Sequence, residues 1–181
     1  MKIRNSYKSD RLEIEKIHTA AFGKEKGPEI AELVNGLFED KTAEPILSLV
    51  AVKNKKIIGH VLFTKVNIAH TPVLVSARIL APLAILPEVQ AKGVGGLLIK
   101  EGLDRLKKAD VELVFVLGHP DYYPRSGFTP AGELGFEAPY HIPDEHAGAW
   151  MLIELSSGTI GNVKGTVECS DVLNQPQHWR E

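Results

Sequence analysis

Three glycines, Gly93, Gly95 and Gly96, follow an apolar run that ends at Pro87. Gln90-Ala91-Lys92 leads into them, and Leu97–Lys108 after them has the make-up of a helix. A strand that breaks into a glycine turn and then a helix builds an anion site. Backbone N–H groups and the positive end of the helix dipole converge there on one point. Glycine lets the backbone come close to a phosphate. The stretch Leu83–Gly96 is therefore expected to hold the pyrophosphate of a cofactor, with the rest of the chain placing a second substrate beside it. It is not a P-loop, because Leu97-Leu98 stands where that motif needs Lys-Ser/Thr. Nor is it a dinucleotide fingerprint, because position 98 is Leu98 rather than glycine.

The elements that must position this stretch are legible in order. Lys2–Ser6 is a short first strand. Asp10 with Glu13 resembles a capping box, opening a helix whose Ile14, Ile17 and Ala21 share a face and which Gly23 closes. A second helix is expected from Pro28, with Ile30, Leu33, Val34 and Leu37 inward. Leu47–Lys53, Lys56–Asn67 and Val73–Leu86 read as an antiparallel meander turning at Asn54-Lys55 and near His70–Pro72. Pro82 has no N–H to give a ladder, so pairing should be disturbed at Ala81–Leu83. The helix after the glycines turns Leu98, Ile99, Leu103 and Leu106 inward and makes Val111–Leu117 return parallel to the preceding strand. Thr129–Ala149 reads as long loop, Trp150–Leu155 as a late strand and Val163–Cys169 as one strand of a tail, with the polar end Gln175–Glu181 expected to fray.

Two stretches together carry a resemblance. Leu83-Ala84-Ile85-Leu86-Pro87-Glu88-Val89-Gln90-Ala91-Lys92-Gly93-Val94-Gly95 resembles the acetyl-CoA-binding motif of the GNAT N-acetyltransferase superfamily, whose core is Gln/Arg-x-x-Gly-x-Gly/Ala. Tyr123-Pro124-Arg125-Ser126-Gly127-Phe128 resembles that superfamily's Tyr-x-(basic)-x-Gly-Phe signature, one helix and one strand later. Gly59–Phe63, Ala81–Ile85 and Val116–Tyr123 look like its YhbS-like bacterial branch. The resemblance implies an α+β (α/β) fold with a mixed central sheet, helices on both faces and a splay between two parallel strands. It covers residues 1–155 as the acetyltransferase domain, with 156–181 a C-terminal extension packed on it or trailing from it.

The same resemblance implies acetyl-CoA as co-substrate, no metal, and direct acetyl transfer to an amine. Gln90, Ala91, Lys92 and Gly93 would form the turn, with Lys92 adding charge, while Val94, Gly95 and Gly96 offer N–H groups to the pyrophosphate. Leu83, Ala84 and Ile85 would hold the pantetheine arm as a false strand partner. An oxyanion donor is expected at the backbone near Ile85 or Leu86. Tyr123 matches the general acid that protonates the departing thiolate. A phenol near pKa ~10 giving its proton to a thiolate near ~8.5 is uphill by about 2 kcal/mol. Tyr123 therefore needs a lowered pKa or acts mainly as a hydrogen-bond donor. Val116 and His119 stand where many members carry Asn and Ala. Glu29, Glu32, His60 and His119 are the candidate bases by region, and Tyr122 is expected to pack.

Composition sets the outer limits. The 181 residues, 44% of them hydrophobic, suit one domain with a full core. A net charge of -2 without a basic stretch argues against nucleic acid. The run Val73–Leu86 contains Ser76, Arg78 and Pro82 and does not span a membrane, and Met1–Tyr7 lacks a signal-peptide core. A cytoplasmic protein, monomer or homodimer, acting on a small-molecule or peptide amine is the expectation. The single cysteine, Cys169, excludes an internal disulfide, and His141, Asp144, Glu145 and His146 match no metal signature. The alternatives are a non-catalytic acyl-CoA-binding or regulatory module on the same fold, and a nucleotide-phosphate binder of another fold.

Overall fold

The computed structural model describes residues 1–180. A mixed sheet runs through it in the order β1-β2-β3-β4-β5-β8-β6. Strand β1 (Lys2–Asn5), β2 (Leu47–Lys53), β3 (Lys56–Ala69) and β4 (Ala77–Ile85) are antiparallel neighbours. Asn54 and Lys55, both with positive φ (52° and 64°), form the tight turn that aligns β2 with β3. Strand β5 (Leu113–Leu117) returns parallel to β4, as the crossover through helix α2 (Val94–Lys108) requires. Short strands β6 (Thr129–Pro130) and β7 (Phe136–Glu137) lie in the stretch expected to be loop. The late strand β8 (Trp150–Glu154) covers the far edge of β5. The tail strand β9 (Gly165–Glu168) pairs with both β3 and β7.

Helix α1 (Arg11–Glu39) holds both helices read in the sequence, joined across Gly23. It runs as one element broken at Gly23 (φ 81°, ψ -178°), and helix resumes ahead of Pro28. Gly27 brings the two halves together: a Cβ there would collide with the Thr19 carbonyl oxygen. The two helices cover opposite faces of the sheet. On β3, His60 meets His18 of α1, whereas the odd-numbered Phe63 lies against Gly102 of α2. The Phe63 ring fills the space a side chain at position 102 would need. Gly102→Ala should therefore overpack the core and cost about 1–3 kcal/mol, read from the urea midpoint at unchanged m-value.

The polar end of the chain does not fray. Trp179 is 2% exposed, donates from Nε1 to the Leu173 carbonyl at 3.0 Å and stands edge-on to Trp150. Asp40, just past α1, accepts from the Val172 N–H at 2.9 Å, and Thr42 Oγ1 accepts from the Asp171 N–H at 2.9 Å. One large apolar residue and these clamps hold a stretch that reads as polar. Glu181, part of that expectation, lies outside the described residues. Among the described residues no helix is long and apolar enough to cross a membrane.

Candidate active site

Strands β4 and β5 pair only from Ala77–Leu80 against Leu113–Val116, and β4 then continues to Ile85 paired with β3 alone. The cause lies on the other side of β4. Val61 faces Leu83 while Phe63 faces Leu80, so Ala81 and Pro82 together oppose Leu62. That extra residue bends β4 away, so Leu117 of β5 keeps only its far-side partner, Trp150. The disturbance read at Ala81–Leu83 is thus a splay, and it leaves one edge of β4 open.

The open edge carries a defined set of groups. The Leu86 N–H donates to the Ile58 carbonyl at 2.9 Å. Antiparallel pairs alternate, so Gly59 and Ile85 form a non-hydrogen-bonded pair, as do Val61 and Leu83. Ile85 and Leu83 therefore direct their N–H and C=O groups away from β3, into the splay. The Ile85 carbonyl is taken by Gln90 Nε2 at 2.9 Å, which ties the glycine turn to the strand end. Leu86 has no N–H to spare, so an oxyanion donor at that position is ruled out.

The turn itself needs two left-handed residues, Ala91 (φ 61°) and Gly93 (φ 85°), and the first of these costs roughly 1 kcal/mol for a residue with a Cβ. Gly93 caps α2, and the first helical bond runs from the Leu97 N–H to the Gly93 carbonyl at 3.1 Å. Helix starts at Val94 rather than Leu97, so Gly95 and Gly96 belong to its first turn. The N–H groups of Val94, Gly95 and Gly96 precede any intrahelical acceptor. A Cβ on Gly96 would meet nothing within 4 Å, whereas one on Gly95 would collide with the Tyr122 hydroxyl.

All of this opens into one cleft of about 1350 Å³. Its walls include Leu83, Ala84, Ile85, Gln90, Ala91, Gly93, Val94, Gly95 and Gly96, with Tyr122 and Tyr123 across the splay. Lys92 is exposed and does not line it. Glu29 and His119 are on the wall, and Glu32 is not. His60 of β3 is fully buried and bonded to His18 at 2.8 Å, and it does not line the cleft. The sequence reading missed Phe22 beside the break in α1, and Leu173 and Gln177–Arg180 of the tail, all of which line the cleft.

Tyr123 packs its ring over Gly118 at the end of β5, edge-on to Tyr122 and Phe128 with centroids 5.1 and 5.8 Å away. Burial pushes its phenol above the usual tyrosine range. A phenol kept neutral by burial suits hydrogen-bond donation rather than a lowered pKa. Gly118→Ala would drive a methyl group into the ring. We expect kcat to fall at least 10-fold with the Kd for acetyl-CoA within about twofold, checked by steady-state kinetics and calorimetry. Among the described residues no cluster of three or more His, Cys, Asp or Glu is placed to hold a metal.

Comparison with known proteins bears on this geometry. The family described as Acetyltransferase (GNAT) domain matches residues 2–131. The chain belongs to the GNAT acetyltransferase family. It is 44% identical over 165 residues to the uncharacterized N-acetyltransferase YjhQ of Escherichia coli K12, covering 91% of this chain and 89% of that protein. The crystal structure of the GNAT N-acetyltransferase YhbS from Escherichia coli in complex with CoA superposes with a TM-score of 0.85 at 27% identity, over 96% of this chain and 92% of that one. A GNAT acetyltransferase from Brucella melitensis in complex with acetyl-CoA gives 0.75 at 26% identity, over 95% and 97%. The parallel β4–β5 pair and its splay are thus the GNAT sheet, and the chain is a GNAT N-acetyltransferase.

Proposed function

We propose that the cleft binds acetyl-CoA along the open edge of β4 and delivers its acetyl group to an amine, with Tyr123 serving the departing sulfur. The reaction, acetyl transfer from acetyl-CoA, follows from family membership. The placement of the residues is our reading, and the observation that carries it is the joint opening of the β4 edge, the α2 N-terminus and Tyr123 into one cleft.

In this reading the pyrophosphate sits on the N–H groups of Val94, Gly95 and Gly96, in the turn formed by Gln90, Ala91, Lys92 and Gly93. The pantetheine arm runs back along β4, past Ile85 and Ala84 to Leu83, pairing with the N–H of Ile85 and the C=O of Leu83. Because the arm enters from the Ile85 end, the thioester lies nearer the splay. The oxyanion donor is then the Leu83 N–H rather than a group at Ile85 or Leu86. The neutral amine nitrogen attacks the carbonyl carbon, the C–S bond breaks, the sulfur leaves as a thiolate, and the proton lost by the nitrogen passes to solvent, from which the thiolate is protonated to CoA thiol. Tyr123, kept neutral by burial, donates a hydrogen bond to that thiolate as charge develops. Lys92 acts at most through long-range charge on the phosphates, because it stands outside the wall.

The acceptor enters between α1 and the tail, where Glu29 and Phe22 face Leu173 and His178. Residues 1–155 form the acetyltransferase domain and the following residues close its acceptor end. A small-molecule or peptide amine and a cytoplasmic setting complete the proposal.

Release of CoA thiol from acetyl-CoA, followed across a panel of amines, tests it. Amine-dependent release is expected, and Tyr123→Phe should lower kcat by 10²-fold or more while the Kd for acetyl-CoA stays within about twofold. Equal turnover in Tyr123→Phe removes that residue from the chemistry. Tight acetyl-CoA binding without release for any amine supports the non-catalytic alternative.

A further inference from the structure

Tyr122 stands where the phosphate end of the cleft meets the open strand. Its hydroxyl occupies the space that a Cβ on Gly95 would need, at the second residue of α2. The Cδ2 of Leu83 lies 3.6 Å from that same point. The hydroxyl and the side chain of a β4 residue whose backbone faces the splay thus both approach the helix N-terminus at Gly95. The ring is fixed by the edge-on contact with Tyr123.

Three further observations bear on what this hydroxyl does. Tyr122 lines the cleft. Burial raises its pKa above the ordinary tyrosine value, and only the nearby charge of Arg125 opposes that shift, so the group is an O–H donor at neutral pH. Among the described residues no protein group is hydrogen-bonded to its hydroxyl. A half-buried donor beside three unpaired helix N–H groups completes an anion-binding arc. Packing alone needs only the ring, and a glycine at position 95 is needed only because the hydroxyl is present.

We propose that Tyr122 is a cofactor-binding residue whose O–H donates to a phosphate oxygen of the CoA pyrophosphate, opposite the N–H groups of Val94, Gly95 and Gly96. It rests on the reading of the cleft as the acetyl-CoA site. The two adjacent tyrosines then divide the cofactor between them: Tyr122 fixes the phosphates and Tyr123 serves the sulfur.

The test compares Tyr122→Phe with Tyr123→Phe on three ligands: acetyl-CoA, CoA and S-acetylpantetheine, which has no pyrophosphate. Tyr122→Phe keeps the ring, and its thermal midpoint without ligand should match the wild type. Its Kd for acetyl-CoA and CoA should rise about 10-fold and its Kd for S-acetylpantetheine should not change, while kcat at saturating acetyl-CoA should fall far less than the 10²-fold expected of Tyr123→Phe. Tyr123→Phe should show the reverse split. Unchanged Kd for CoA in Tyr122→Phe overturns the proposal. An equal loss on S-acetylpantetheine also overturns it, by moving the contact to the pantetheine arm, and a fall in kcat at unchanged Kd overturns it by moving the contact to the sulfur. If wild-type protein binds neither acetyl-CoA nor CoA, the cleft assignment itself fails, an outcome the variants alone cannot produce.

Discussion

Gly95→Glu is expected to abolish measurable acetyl-CoA binding, a loss of at least 100-fold in Kd by calorimetry. Two effects add. The new Cβ takes the place of the Tyr122 hydroxyl, forcing either that ring or the start of α2 to move. The carboxylate then puts negative charge at the α2 N-terminus, where the proposed reading seats the pyrophosphate. The steric part can be separated from the charge. Gly95→Ala alone should weaken binding about 10-fold or more through the collision. Adding Tyr122→Phe removes the hydroxyl, and the ring carbon that bore it lies 3.4 Å from the ideal Cβ, an ordinary contact. The pair should therefore couple strongly, the double variant binding better than the sum of the singles allows. Independent, additive losses would show that the hydroxyl and Gly95 do not share the space described.

Acid should destabilise the fold well above the range in which carboxylates titrate. His18 and His60 are both 0% exposed and joined at 2.8 Å, with Ser48 Oγ 2.8 Å from the second ring and Ser6 Oγ donating to Ser48 Oγ at 2.7 Å. Among the described residues no carboxylate faces either ring in this chain of contacts, and the Nδ1 of His18 has no hydrogen-bond partner. Burial holds the His18 pKa down to about 3, and burial with the neighbouring imidazole holds His60 well below 6.5. Both rings are neutral when folded and free to protonate near pH 6.5 when unfolded. The unfolded state thus binds more protons below pH 6.5, so stability is complete above that value and is lost as pH falls. Two such groups give a slope of about 3 kcal/mol per pH unit between pH 5.5 and 4.5. His178, also shifted down by burial, adds in the same direction. Asp10, held low by its hydrogen bond and ion pair with Arg4, adds its own loss only nearer pH 4. Urea midpoints at half-unit steps check this, and His18→Gln should remove about half of the slope. A flat profile from pH 6.5 to 4.5 would show that the rings are protonated in the folded protein.

The parts of the site that are continuous in the chain were the legible ones. Leu83–Gly96 announces its turn because its glycines and its proline constrain a backbone within a few residues. Tyr123 is fixed by its distance from Gly127. The start of α2 was misplaced because glycine disfavours helix interiors, yet in a first turn Gly95 admits the Tyr122 hydroxyl and Gly96 keeps the cleft open. What escaped depends on contacts far apart in sequence. The contact between Tyr122 and Gly95, the burial of Trp179 against Trp150 and the meeting of His18 with His60 leave no periodicity to read. Gly23 was legible as a helix end, but the reunion of both halves through Gly27 and Thr19 was not.

Backbone amide NMR during an acetyl-CoA titration tests the placement of the cofactor most directly, and needs no acceptor. The signals of Val94, Gly95 and Gly96 should shift most, followed by Leu83 and Ile85 on the open edge of β4, while Leu86, already bonded to Ile58, moves little. Shifts that spare the α2 N-terminus and the β4 edge, and gather elsewhere on the molecule, would contradict it.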